Sequence, residues 1–229
     1  TRVRPDAYHG YLLLAQALFE QHQDRDAFEA VNHALELDRS DLGEYILKLR
    51  ILIRNGAFEQ AHEVIDFLHE NGIDDVLAIQ WCEALLTEYE TKDNELALAQ
   101  QEAIAKRLEA GESLPWGAEV YFRIAVLTAR DLDARHEVDR EGLLAILEKG
   151  LAIDKDDFLC LDYKGWLLKR EKRIDEALEI YHRLEKMPRG NLDVERQLAE
   201  LYYSNLGRNA DKALHYYELL LKEEDTPDD

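Results

Sequence analysis

Apolar residues along this chain return every three to four positions, over stretches long enough for helices. Between Leu42 and Ile53 the stripe is Tyr45, Leu49 and Leu52, a spacing that gathers side chains on one face of an α-helix. Asn55-Gly56 stops it, because glycine takes the left-handed conformation that closes a helix end. From Phe58 to Leu68 a second helix carries Ala61, Ile65 and Leu68 on one face, and Asn71-Gly72 ends it. Strand-like alternation is scarce, and the 4 prolines and 11 glycines cluster at predicted turns. The expectation is an all-α chain of long helices with short joints.

The pattern repeats. Ala27 to Ala61 is 34 residues, and Ala27-Phe28-Glu29-Ala30, Ala61-His62-Glu63, Asp175-Glu176-Ala177-Leu178 and Asp211-Lys212-Ala213-Leu214 are variants of one phrase. One helix pair cannot bury both of its faces, so a fixed period of this kind implies copies stacked above and below it. Small Ala61 lets the second helix of a pair approach the first, and Ile65 fills the gap between neighbouring units. The middle is irregular. Ala61 to Ala177 is 116 residues, 14 more than three periods, so two units with insertions lie between. One pairs Val76–Tyr89 with Glu95–Leu108, and the next pairs Trp116–Arg130 with Arg140–Ile153. Ser113 or Pro115 is expected to start the latter, and its joint from Asp131 to Asp139 to carry about six extra residues in an exposed loop.

On these residues the sequence resembles the tetratricopeptide-repeat family, over nearly its whole length. That family places a large residue, then Leu-Gly, then Tyr on its first helix, and Ala, Phe and Ala on its second. Unit 1 has Tyr11, Leu14-Ala15 and Leu18, then Ala27, Val31 and Ala34. Unit 5 has Leu161, Gly165 and Leu168, then Ala177, Tyr181 and Leu184, with Pro188 closing it. Unit 6 has Leu198-Ala199 and Tyr202, then Ala213, Tyr217 and Leu220. The family's glycine survives only as Gly165, being replaced by Ala15, Leu49, Ala125 and Ala199, and Arg39 replaces the closing proline of unit 1. The resemblance implies a right-handed superhelical solenoid of antiparallel helix pairs. A leader would occupy residues 1–7, six units about 8–41, 42–75, 76–117, 118–157, 158–191 and 192–225, and a disordered acidic tail 226–229.

The resemblance also implies a function. In that family the first helices of successive units line a concave groove, where a peptide or partner helix binds. Residues one turn off the packing stripe should project into it. They are Leu12, Gln16 and Phe19 in unit 1, Ile46 and Arg50 in unit 2, and Gln80 in unit 3. Phe122 and Arg130 follow in unit 4, Trp166 and Lys169 in unit 5, and Arg196 and Tyr203 in unit 6. Exposed Trp and Arg are the residue types that concentrate binding energy. The implied role is a non-catalytic scaffold or adaptor that binds a protein or peptide ligand. The alternative is a regulatory module controlling a linked effector domain or responding to a small peptide. Some family members grip chaperone C-terminal carboxylates with Lys, Asn and Arg. The matching positions here hold Leu12, Gln16, Leu47, Leu77 and Trp81, so that clamp is not expected. With no capping helix obvious after Leu221, a homodimer through the solenoid ends is a further reading.

Charge narrows the partners. Lys and Arg number 28 against 49 Asp and Glu, for a net charge of −21. Such a chain repels phosphate backbones and anionic lipid, so neither nucleic acid nor a membrane is an expected partner. The acidity keeps the array soluble or steers a basic partner towards it. No secretory or membrane-spanning text is present, which reads as a cytoplasmic chain or a domain of a longer protein. Cys82 and Cys160 lie in apolar helical text without metal spacing and read as buried free thiols.

Candidate chemistry adds little. There is no Gly-rich phosphate loop, His-Glu-x-x-His, Cys-x-x-Cys or nucleophile elbow, so no enzymatic activity, cofactor or metal is expected. The best cluster of ligating residue types, His62, Asp66 and His69, reads as a polar outer face beside the buried stripe of the same helix. Asp74-Asp75 and Asp156-Asp157 read as helix caps. Tyr202 and Tyr217 are expected to pack between two antiparallel helices, with Tyr203 facing the groove.

Overall fold

The computed structural model of the chain describes residues 5–38, 40–73, 75–187, 192–204 and 206–224. Arg39, Asp74, Pro188 and the acidic tail, on which some expectations fell, lie outside the described residues. Among those described there are twelve α-helices and no strand. The chain divides at Leu114–Pro115 into two compact units. The first holds α1 (Pro5–Glu20), α2 (Asp24–Leu37), α3 (Leu42–Arg54), α4 (Phe58–Glu70), α5 (Leu77–Leu86) and α6 (Asn94–Glu109). The second holds α7 (Gly117–Ala134), α8 (Arg140–Ile153), α9 (Phe158–Arg170), α10 (Ile174–Leu184), α11 (Leu192–Ser204) and α12 (Leu206–Glu224). Odd-numbered helices are the first of each pair and even-numbered ones the second.

Local chemistry fixes the helix ends. Asp41, Asp93, Asp139 and Asp157 each accept a hydrogen bond from a backbone N–H of the helix they precede, at 2.8–3.0 Å. Asp157 thus caps as expected, whereas Asp156 takes a hydrogen bond from Arg183 instead. The joint inside each of the first five pairs contains one left-handed residue: His22, Gly56, Lys92, His136 and Lys172, with φ between 57° and 70°. At Gly56 the N–H reaches the Ile53 carbonyl at 3.1 Å and the Ala57 N–H reaches Leu52 at 2.9 Å. Lys172 and Arg173 make the same two bonds, to Lys169 and Leu168. This is the closure in which two orphan carbonyls of a helix end are satisfied at once.

The cores follow the small-residue logic of the sequence. Ala61, Ile65 and Leu68 are buried, as are Ala177, Tyr181 and Leu184. A Cβ on Gly165 would stand 2.9 Å from the Tyr181 ring, so the retained glycine lets α9 and α10 close together. Gly150 does the same on α8, where a Cβ would meet the Cys160 sulfur at 2.8 Å. Both cysteines are buried, and they form no disulfide. The Cys160 thiol donates to the Ala118 carbonyl at 3.4 Å, and burial pushes its pKa well up.

Several expectations need correction. Helix α1 begins at Pro5, so the end of the expected leader is helical. Its inward stripe is Tyr8, Ala15 and Phe19, while Tyr11 and Leu14 face outward. Residues 11–15 are all apolar, so periodicity alone could not choose a face. The choice follows Tyr8, whose hydroxyl donates to Asp41 Oδ2 at 2.8 Å across to the start of α3. Helix α7 starts at Gly117, after both Ser113 and Pro115, and runs to Ala134, so much of the expected loop is an extra helical turn. Helix α5 continues into a π-helical turn, Thr87–Thr91, before its joint. In the last pair Tyr216, not Tyr217, is the buried partner of Tyr202: the rings stack at 5.8 Å and 12°. The Tyr216 hydroxyl donates to Glu185 at 2.8 Å, and non-helical dihedrals at Asn209 interrupt the helix before it.

Candidate partner-binding surface

In the first unit the first helices α1, α3 and α5 pack in succession. Their expected surface residues divide. Phe19 and Ile46 are buried core residues, because Phe19 turns inward with Tyr8 and nearly every apolar side of α3 is covered. Arg50 is half-buried, its guanidinium 4.8 Å from the Phe19 ring and 5.5 Å from the ring of fully buried Trp81. The Arg54 guanidinium lies 3.7 Å from the centre of the Phe19 ring and donates to Asp24 and to the Phe19 carbonyl. Gln80 accepts from Arg107 at 2.8 Å, and Arg107 also bonds Asp75 and Glu112. Leu12 is half-buried and Gln16 exposed.

In the second unit an aromatic strip joins α7 and α9. On α9, Tyr163, Trp166 and Arg170 lie at i, i+3 and i+7, one face of the helix. The Tyr163 and Trp166 rings stack at 5.7 Å and 24°. Phe122 of α7 meets the Tyr163 ring edge-on at 6.1 Å, and the Arg170 guanidinium covers the Trp166 ring at 4.8 Å. Trp166 nevertheless remains 38% exposed. Burial raises the Tyr163 pKa, and the nearby Arg130 charge offsets part of that shift. Burial also raises Asp162 on the same helix, with Asp193 adding like charge.

Lys169 does not stand clear as a ligand-facing cation: it donates to Gln197 at 2.8 Å and pairs with Glu200, both on α11. Arg196 is exposed and pairs with Asp193 at 3.3 Å. Tyr203 is exposed, edge-on to Tyr217 at 6.3 Å. Sequence reasoning missed Tyr163 and Arg170. Their signal was the three- and four-residue spacing from Trp166, which brings helix neighbours together.

Both histidines of the candidate metal cluster have carboxylate partners outside α4. His62 pairs with Glu90 at 2.8 Å and His69 with Glu83 at 3.3 Å. Among the described residues no group of three His, Cys, Asp or Glu side chains is placed to hold a metal ion. Nor is any described helix long and apolar enough to cross a membrane.

Neither a protein-family model nor a curated protein matches the sequence. Solved structures do. PilF of Pseudomonas aeruginosa aligns with a TM-score of 0.63 over 95% of this chain and 92% of its own, at 15% identity. PilW, a type IV pilus biogenesis factor, aligns at 0.62 over 96% and 95%, with 14% identity. TTC0263, a thermophilic TPR protein of Thermus thermophilus, aligns at 0.61 over 85% and 98%, with 18% identity. The chain has the tetratricopeptide-repeat fold. Within this fold the departures from the repeat pattern have local causes. Gly165 is kept where Tyr181 presses on the helix, while Ala15, Leu49, Ala125 and Ala199 are fully buried without needing glycine.

Proposed function

We propose that this chain is a non-catalytic protein-binding module that holds a peptide or a partner helix on the first-helix surface of its second unit. The observation that carries this reading is the strip Phe122, Tyr163, Trp166 and Arg170, continuous from α7 to α9 and open at Trp166. Aromatic rings supply large, rigid contact area, and a guanidinium beside them supplies orientation. The stacking partners hold Trp166 in place before a ligand arrives, so little side-chain entropy is lost on binding. Arg130 and Tyr203 extend the surface at its margins. The fold supports this reading, since first helices packed side by side, as α7 and α9 are, offer a surface on which a partner can lie.

The test is selection of peptides from a displayed library on the full chain, followed by titration against Trp166→Ala and Arg170→Glu variants. Both positions are exposed, so the variants should keep their helicity. Recovered peptides should bind each variant at least about tenfold more weakly. Peptides that bind the variants and the parent equally would place recognition elsewhere and reject the proposal.

A further inference from the structure

The second helices of the first unit frame a cleft that the proposed surface does not use. Helix α2 forms one wall, α4 the other, and α3 the floor. Two hollows of about 590 and 560 Å³ share Asn32 and Glu36, and a third of about 400 Å³ joins them through Phe28, Lys48 and Glu63. The lining is amphipathic. Phe28, Tyr45, Val64 and Phe67 give it apolar area, and Phe67 is 44% exposed. Four carboxylates, Glu29, Glu36, Glu59 and Glu63, face two cations, Arg25 and Lys48.

The cleft already shows how it holds a cation. The Lys48 ammonium sits 5.5 Å over the Phe28 ring, with the Glu63 charge acting on it. Burial lowers the Lys48 pKa and the Glu63 charge offsets part of that shift, so the ring and the carboxylate return part of the hydration that the ammonium loses. A second aromatic pair lies beside it, with Glu36 held by His33 at 3.3 Å. Tyr45 and Phe67 pair at 5.5 Å with a 30° tilt, in the hollow that Glu36 and Glu63 also line.

We infer that this cleft is a docking surface for a basic amphipathic segment of another protein, one that alternates Arg or Lys with apolar residues. Charge complementarity selects that occupant. An acidic segment would add to the surplus of carboxylates, and a purely apolar one would strip water from them without compensation. The chain's net charge of −21 would speed the approach of a basic partner, and the cleft would give it a place to settle.

The experiment is fluorescence anisotropy on the full chain with a labelled ten-residue Arg/Leu alternating peptide and its Glu/Leu counterpart. Glu36 and Glu63 are exposed, so a Glu36→Lys/Glu63→Lys variant should fold normally. A control, Glu102→Lys/Glu179→Lys, makes the same change in net charge at exposed positions outside the cleft. The Arg/Leu peptide should bind saturably, and the cleft variant should weaken it about tenfold or more. The control and Trp166→Ala should change it by less than about threefold. Equal loss in the control would make the attraction a general property of the acidic surface and overturn the inference. Loss in Trp166→Ala would move the peptide to the first-helix surface and also overturn it. So would absence of saturable binding, or equal affinity for the Glu/Leu peptide.

Discussion

Trp81 in the first unit and Trp166 in the second have opposite fates. Each lies on the first helix of a pair, and each has a guanidinium over its ring, Arg50 at 5.5 Å and Arg170 at 4.8 Å. Yet Trp81 is 1% exposed and Trp166 38%. The rest of the helix explains the difference. Between Leu77 and Leu86 only Gln80 and Glu83 are polar, and a helix apolar on nearly every side is covered on nearly every side. Helix α9 carries Asp162, Lys164, Lys169 and Arg170, so part of its circumference stays in water and Trp166 lies at that boundary. Residue type and an arginine neighbour therefore do not distinguish a core tryptophan from a surface one. The apolar content of the whole helix does.

The largest expected effect comes from breaking the buried side of this pair. Trp81→Ala should destabilise the chain by about 3–5 kcal/mol, because a large cavity opens where Phe19 and Arg50 converge. Chemical denaturation measures the loss. Amide exchange should rise first in α3 and α5, while α9 keeps its protection.

A smaller effect separates the units by pH. Glu44 is fully buried beside Tyr8, and burial pushes its carboxyl pKa up to about 7. The Tyr8 hydroxyl opposes the shift, and Asp41 and Asp38 add like charge that favours it. The folded state therefore binds the proton more tightly than the unfolded chain does. The associated stability is full below about pH 4.5 and is lost as pH rises through 7. Denaturation midpoints between pH 5 and 8 should fall with pH, by on the order of 1–3 kcal/mol overall, and Glu44→Gln should flatten that slope. An unchanged slope in the variant would assign the pH dependence to other groups, Asp162 of the second unit first among them.

The joints offer a gain. Lys172 holds a left-handed conformation that Gly56 holds at the matching joint of the first unit. Lys172→Gly should stabilise by about 0.5–1 kcal/mol, read as a rise in melting temperature, because glycine adopts positive φ without a Cβ clash. The least stability change is expected for Trp166→Ala, within about 1 kcal/mol, since its ring is already partly in water. Denaturation beside the binding titration would sharpen the contrast with Trp81: one tryptophan matters to folding and the other to recognition.

The repeat architecture was legible because its stripes were clean. Leu49 and Leu52 on α3, and Ala177, Tyr181 and Leu184 on α10, are buried where periodicity put them, whereas Tyr45 of the α3 stripe is half-buried and lines the α2–α4 cleft. The face of α1 was not legible, because Tyr11 through Ala15 are apolar all round; the buried face is the one that carries Tyr8, bonded to Asp41, with Ala15 and Phe19. Four of the five left-handed joints were hidden as well, since His22, Lys92, His136 and Lys172 carry no glycine signal. Of the proposed surface, Trp166 and Phe122 were visible and Lys169 misjudged, because its Gln197 and Glu200 partners lie about one repeat away in sequence. The α2–α4 cleft depends on the spacing of two helices that no local pattern records.

The most direct test follows the indole N–H signals of the three tryptophans by NMR, in tryptophan-labelled protein titrated with a selected peptide. The account predicts that the Trp166 signal shifts in proportion to bound peptide while the Trp81 signal stays in place. A shift of Trp81 with Trp166 unmoved would contradict it, because the open strip of the second unit would then not be where the ligand binds.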